Sequence, residues 1–186
     1  MLKLYGGARS RASIVRWYLE ELQIPYEFVL LDLQAGEHRQ SAYLAINPVG
    51  KVPAIADGGV NLWESGAILL YLAEKYGEPE MTQARRAILN QWINYANATL
   101  GPEIFHSSDR AQAVDRHLSV LDQILRQQPF IVGDQFSVAD VAVGAILAYM
   151  QLMFQIDVSP YLAVASYGQR LADRPAYQKS IAPQPA

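Results

Sequence analysis

The chain has 186 residues, 51 % of them apolar, and its 15 basic and 18 acidic side chains leave a formal charge of 15 − 18 = −3. That length suits one large domain or two small ones with a real core, and without a block of like charge no basic face for nucleic acid is expected. The absence of cysteine excludes disulfides, cysteine-bearing zinc sites and a protein thiol nucleophile; with no signal-peptide core in "MLKLYGGARS" and no membrane-spanning apolar run, a cytoplasmic protein is expected.

Residues 2–5 form a short apolar run closed by Gly6-Gly7, a strand followed by a turn. From Ser10 the spacing changes to that of a helix: Ile14, Val15, Tyr18, Leu19 and Leu22 recur on one face, which predicts an amphipathic helix over 10–23. Pro25 breaks the pattern, and 27–31 read as a second strand, completing a right-handed βαβ unit. A short helix is expected over 41–46. "VPAIADGGVNLWE" reads as two strands around a Gly58-Gly59 turn, and 64–76 as a helix buried through Ile68, Leu69, Leu72 and Tyr76.

Beyond "GEPEM" the strand signals fade. Helices are expected over 81–105, 110–126, 137–155 and 160–173, and the switch from mixed α/β to all-α near residue 78 argues for two domains. "FSVADVAVG" contains a capping-box start, Ser137 with Asp140, flanked by a Phe136–Val141 staple. The helix after it carries Val141, Ala142, Ala145, Ile146, Tyr149 and Met153 at helical spacing and is rich in small residues, so it is expected to be central. Asp140 reads as a fold-fixing acceptor, not a catalytic carboxylate.

Four strings, "LKLYGGARSRAS", "NPVGKVPAI", "ESGAILLYLAEKY" and "FSVADVAVG", in this order and spacing, resemble the cytosolic glutathione transferases over essentially the whole chain. Within that family the "SRAS" string, Ser10 to Ser13, resembles the cyanobacterial chi class, whose members favour isothiocyanates among other electrophiles. The resemblance implies a thioredoxin-like N-terminal domain (βαβαββα, 1–76), a linker (77–81) and an all-helical domain (82–186). It also implies glutathione as co-substrate with no other cofactor, a small hydrophobic electrophile as second substrate, a homodimer, and no nucleic-acid or membrane partner. The competing readings are glutathione-dependent peroxide reduction at the same site, or a non-catalytic interaction module of this fold.

The chemistry behind that activity is thiol activation. A free thiol with a pKa near ~8.5 is only a few per cent ionised at neutral pH, so the site needs a hydrogen-bond donor or cation aimed at sulfur. Ser10 is the preferred donor, against the alternative of a plain helix cap. Tyr5, at the end of the first strand where tyrosine-type members carry their donor, is the runner-up. Arg9 and Arg11 beside a helix N-terminus suggest a nearby anion: either could lower the thiol pKa or hold the glycyl carboxylate, Arg9 being placed with the catalytic residues and Arg11 with the substrate-binding ones.

In "NPVGKVPAI" the resemblance implies a cis bond before Pro53, which turns the Val52 backbone outward to pair with the cysteinyl unit of glutathione as an added strand. Lys51 and His38 are candidates for the glycyl carboxylate. Glu64 and Ser65 at a helix start are candidates for the γ-glutamyl end. His106 and His117 have no metal-like spacing with each other or with His38. Tyr95, Thr99, Phe105, Tyr149 and Met150 are candidate second-substrate contacts, with core packing as the plainer role for most.

Overall fold

The structure is a computed structural model and describes residues 1–77 and 80–181. The chain divides into two compact units, Met1–Glu80 and Met81–Ala186. Of the expected linker, Glu78 and Pro79 lie outside the described residues.

The first unit is a four-stranded sheet with helices, the thioredoxin-like arrangement. β1 (Leu2–Gly6) leads to α1 (Ala12–Glu21), β2 (Tyr26–Leu30), a single 3₁₀ turn (Glu37–Arg39), α2 (Ser41–Leu44), β3 (Ala54–Asp57), β4 (Val60–Trp63) and α3 (Ser65–Leu72). Strand order is β2-β1-β3-β4, with β1 parallel to β2 and antiparallel to β3, and β3 antiparallel to β4. The hairpin turns at Gly58 and Gly59, both at positive φ (58° and 91°), the conformation that a two-residue primed turn requires.

The alternation in β1 separates two faces. Leu2 and Leu4 are buried on the side where α1 packs, while Lys3 and Tyr5 are half-buried on the other. α1 and α3 pack together through Ile14, Val15, Trp17, Leu19, Ile68, Leu69 and Leu72, all essentially inaccessible. Elements begin and end within two residues of expectation, α2 stopping two short at Leu44, except α3, whose last turn widens into a π-turn over Ala73–Gly77. That turn is tied back to the sheet: the buried Asp57 carboxylate accepts from Tyr71 Oη, Tyr76 Oη and Lys75 Nζ at 2.9, 2.7 and 2.8 Å.

The second unit is helical. α4 (Gln83–Asn94), capped by Thr82, runs into a π-turn (Tyr95–Leu100) and then α5 (Gly101–His106). The single helix expected over 81–105 is thus widened in its middle. Pro102, which has no N–H for the carbonyl four residues back, follows directly. α6 (Arg110–Leu125) is capped by Asp109, and α7 (Val138–Phe154), α8 (Leu162–Ala172) and α9 (Pro175–Ser180) complete the unit. The short α9 and the 3₁₀ turn are absent from the sequence reading.

α7 is central as expected, packed against α4, α5, α8 and the π-turn, and buried nearly all round as far as Met150. Met153, expected on its buried stripe, is instead 65 % exposed, although the next residue, Phe154, still packs on Phe105. The capping box forms, with Ser137 N–H donating to Asp140 Oδ2 at 2.8 Å. Asp140 also accepts from Ile131 N–H (2.8 Å) and Tyr167 Oη (3.0 Å). Among the described residues no helix is long and apolar enough to cross a membrane.

Candidate functional site

Strand register brings the sequence candidates of the first unit to one end of its sheet. Tyr5, next to last in β1, pairs with Ala54, the first residue of β3, and Ala54 pairs with Trp63, the last of β4. The loop carrying Arg9, Ser10 and Arg11 leaves that end, the Val52–Pro53 segment enters it, and Glu64–Ser65 leaves it. Three stretches far apart in sequence therefore converge because two strand ends and one strand start lie side by side.

The first loop is tightly built. A Cβ on Gly6 would overlap that of Ala12, and one on Gly7 would come within 2.6 Å of Leu33, so only glycine lets the chain turn so close to α1 and Leu33. Ser10 sits two residues before α1. Its Oγ accepts from the N–H groups of Gly7 (3.1 Å) and Ala12 (3.3 Å) and donates to Gly7 C=O (3.1 Å). The helix begins after Arg11, whose side chain makes no cap bond. Arg9 and Arg11 are both exposed. Tyr5 is half-buried, its ring 5.7 Å from that of Tyr43, and its hydroxyl has no hydrogen-bond partner among the described residues.

The second segment contains the cis Val52–Pro53 bond that the resemblance implied. Among the described residues neither the N–H nor the C=O of Val52 enters a backbone hydrogen bond, although Ala54 onward is paired on both sides. The carbonyl of the preceding residue is held twice: Tyr43 Oη donates to Lys51 C=O at 2.5 Å and Asn47 Nδ2 at 2.7 Å. Both side chains are buried, and Asn47 Oδ1 also accepts from Val49 N–H at 3.0 Å. Sequence reading passed over these two residues. The Asn47-Pro48 pair is a turn signal of the kind that marks such an Asx arrangement, whereas Tyr43 is indistinguishable in sequence from a core aromatic.

A pocket of about 590 Å³ opens beside this segment, lined by Leu33, His38, Arg39, Leu44, Val49, Gly50, Lys51 and Val52. It gathers His38, Lys51 and Val52 from the sequence candidates and adds Arg39. The Nδ1 of His38 is buried and lacks a partner among the described residues. A pocket lined by Arg39 and Lys51 with a histidine beside them suits a carboxylate.

The third segment holds a backbone outlier. Glu64 has φ 68° and ψ 120°, a combination unfavourable for any residue with a Cβ, immediately before α3. Such strain concentrates where a ligand is held. No side chain caps α3, so its first N–H groups remain available to a carboxylate. Ser65, the first residue of the helix, is 4 % exposed.

In the second unit the second-substrate candidates divide. Met150 is fully buried core, Phe105 packs on Phe154 (5.8 Å between ring centroids), and Thr99 and Tyr149 are half-buried. His106 is exposed at the end of α5. Tyr95 and His117 form a chain: Tyr95 Oη lies 2.9 Å from His117 Nδ1, and His117 Nε2 lies 2.9 Å from Glu103 Oε2, which also pairs with Arg116. Burial, then the Arg116 charge, holds His117 below its ordinary pKa, and burial pushes Tyr95 up to about 12. Among the described residues no three His, Asp or Glu side chains gather as around a metal.

Comparison with known proteins accounts for both units. The family description "Glutathione S-transferase, N-terminal domain" matches residues 1–74, and "Glutathione S-transferase, C-terminal domain" matches 83–177. The chain belongs to the glutathione S-transferase family. It is 31 % identical to glutathione S-transferase GstB of Escherichia coli, covering 97 % of this chain and 98 % of that protein. It is 33 % identical to the disulfide-bond oxidoreductase YfcG of the same organism, covering 97 % and 94 %. Among solved structures, a possible glutathione S-transferase from Rhodopseudomonas palustris superposes with a TM-score of 0.82 at 30 % identity, covering 99 % of each chain. A Burkholderia graminis glutathione transferase, solved with two glutathione molecules per subunit, superposes with a TM-score of 0.82 at 27 % identity, covering all of this chain and 89 % of that one. This transferase is thus an enzyme of a family in which glutathione is the shared substrate.

Proposed function

We propose that this transferase adds the thiolate of glutathione to small apolar electrophiles, isothiocyanates among them, as a cytoplasmic, homodimeric detoxification enzyme. The cysteinyl unit pairs with the N–H and C=O of Val52 beside Pro53. The glycyl carboxylate enters the pocket of His38, Lys51 and Arg39. The γ-glutamyl carboxylate meets the uncapped start of α3 at Ser65, and its ammonium meets Glu64. Arg9 and Arg11 supply positive potential near the sulfur and the peptide's carboxylates.

Ser10 is the donor to sulfur in this reading, and the observation that carries it is the pair of N–H groups, from Gly7 and Ala12, that end on its Oγ. They hold the oxygen still and polarise its O–H, which makes it a stronger donor. The proton now shared with Gly7 C=O at 3.1 Å needs only to swing about the C–O bond to reach a thiolate. Bound thiol ionised by this bond lies close to its electrophile, so catalysis is activation plus proximity.

A second reading gives the role to Tyr5, whose hydroxyl has no competing partner among the described residues and whose backbone pairs with Ala54 next to Pro53. The relative named as a disulfide-bond oxidoreductase suggests a further chemistry; with no cysteine in the chain, such exchange would run through glutathione's own thiolate, as peroxide reduction would.

Ultraviolet titration of bound glutathione separates the two donors. Ser10→Ala is expected to raise the pKa of the bound thiol by about one to two units and to cut conjugation about 10- to 100-fold, the loss of one hydrogen bond to a charged group. Tyr5→Phe is expected to change either by less than about twofold. The opposite pattern assigns the role to Tyr5.

A further inference from the structure

Tyr43 and Asn47 stand four residues apart and converge on one acceptor. Tyr43 Oη and Asn47 Nδ2 both donate to Lys51 C=O, at 2.5 and 2.7 Å. The two side chains are 3 % and 2 % exposed, so neither donor has water as a substitute partner. The backbone between them is fixed as well: Asn47 N–H donates to Tyr43 C=O (2.9 Å) and Gly50 N–H to Asn47 C=O (3.0 Å).

The acceptor belongs to the same peptide unit as the Val52 N–H. That unit is planar, and in its trans form C=O and N–H point in opposite directions. Two donors on the carbonyl therefore aim the Val52 N–H away from Tyr43 and Asn47. Withdrawing electron density through the carbonyl also strengthens the N–H as a donor. Among the described residues the aimed N–H has no backbone partner, so it stands ready for a ligand's carbonyl.

We infer that Tyr43 and Asn47 are positioning residues for glutathione: they pre-set the Lys51–Val52 peptide so that its N–H meets the cysteinyl carbonyl without reorganisation. This inference rests on the proposed glutathione site. Tyr43 also packs its ring on Tyr5, 5.7 Å away, but its hydroxyl acts on the peptide, so its removal lowers affinity and leaves the thiol's ionisation alone.

The test uses S-methylglutathione, which binds without reacting, alongside glutathione turnover. Tyr43→Phe keeps the ring and its contact with Tyr5. Asn47→Ser keeps an acceptor for Val49 N–H but is too short to reach Lys51. Each is expected to raise the dissociation constant for S-methylglutathione, and the KM for glutathione, by the same factor, about fivefold to tenfold. The kcat at saturation and the bound-thiol pKa are expected to stay as in the unaltered enzyme.

In the unaltered chain, exchange of the Val52 amide proton is expected to slow when S-methylglutathione binds. Affinity unchanged in both variants, a raised thiol pKa with affinity intact, or Val52 exchange indifferent to ligand overturns the inference. Failure of the unaltered enzyme to bind S-methylglutathione overturns the glutathione reading itself, and this inference with it.

Discussion

Ser65 and Glu64 show how residue identity and backbone act together. Ser65 is a common helix-start residue, and the sequence alone allows it to satisfy itself. The structure gives the preceding Glu64 a positive φ and leaves α3 without a side-chain cap, which leaves its first N–H groups for the proposed carboxylate. Removing the hydroxyl removes one hydrogen bond to a carboxylate. Ser65→Ala is expected to weaken glutathione binding about tenfold, as one charge-assisted bond is worth, while the pKa of the bound thiol stays put; calorimetry with thiolate titration checks both. The identity of Ser65 was legible in sequence, but the strain at Glu64 was not, because a glutamate carries no preference for positive φ. Tyr43 and Asn47 were hidden for a different reason: what they do is decided by a carbonyl four to eight residues away, which periodicity does not register.

Helices and strands were legible wherever a stripe of apolar residues repeats. α1, α3 and α7 bury the positions that their spacing marks, apart from Leu22, Tyr76, Tyr149 and the exposed Met153. The capping box at Ser137 and Asp140 was legible because its residues are local, and Asp140 does act as a fold-fixing acceptor. Its two further donors, Ile131 N–H and Tyr167 Oη, are non-local and could not be read. The π-turns at 73–77 and 95–100 were not legible either, since an extra residue in a turn barely disturbs an apolar stripe.

One of those π-turns contributes Tyr95 to the chain that joins it to α5 and α6 through His117 and Glu103. Neutral His117 accepts from Tyr95 at Nδ1 and donates to Glu103 from Nε2. The carboxylate's charge is already engaged by Arg116, so burial prevails and the folded pKa lies below the ordinary value of about 6.5. The unfolded chain then binds a proton that the folded chain refuses. Stability from this site is full above about pH 6.5 and is lost as pH falls through the lowered folded pKa. His117→Gln is expected to flatten the decline of the thermal midpoint below about pH 6.5; parallel curves for variant and parent contradict the assignment.

On the scale of the whole molecule, the fading of strand signals near residue 78 separates a mixed α/β stretch from an all-α one, and the chain divides at Glu80–Met81. The first unit alone brings Ser10, Val52, Pro53, Glu64 and Ser65 to one sheet end, because β1, β3 and β4 share a register there. A chain with net charge −3 nevertheless gathers His38, Arg39 and Lys51 around one pocket, which fits an anionic peptide against the overall charge. With no cysteine in the chain, the proposed chemistry takes its thiol from glutathione, and the task it assigns to the protein is to hold that thiol and ionise it.

The most direct measurement is therefore the ultraviolet absorbance of glutathione bound to the unaltered enzyme, followed as a function of pH. Thiolate absorbance is expected to titrate about two units below the free thiol value near ~8.5, so that most bound glutathione is ionised at neutral pH. Bound glutathione that titrates at the free value, or no binding at all, contradicts the account.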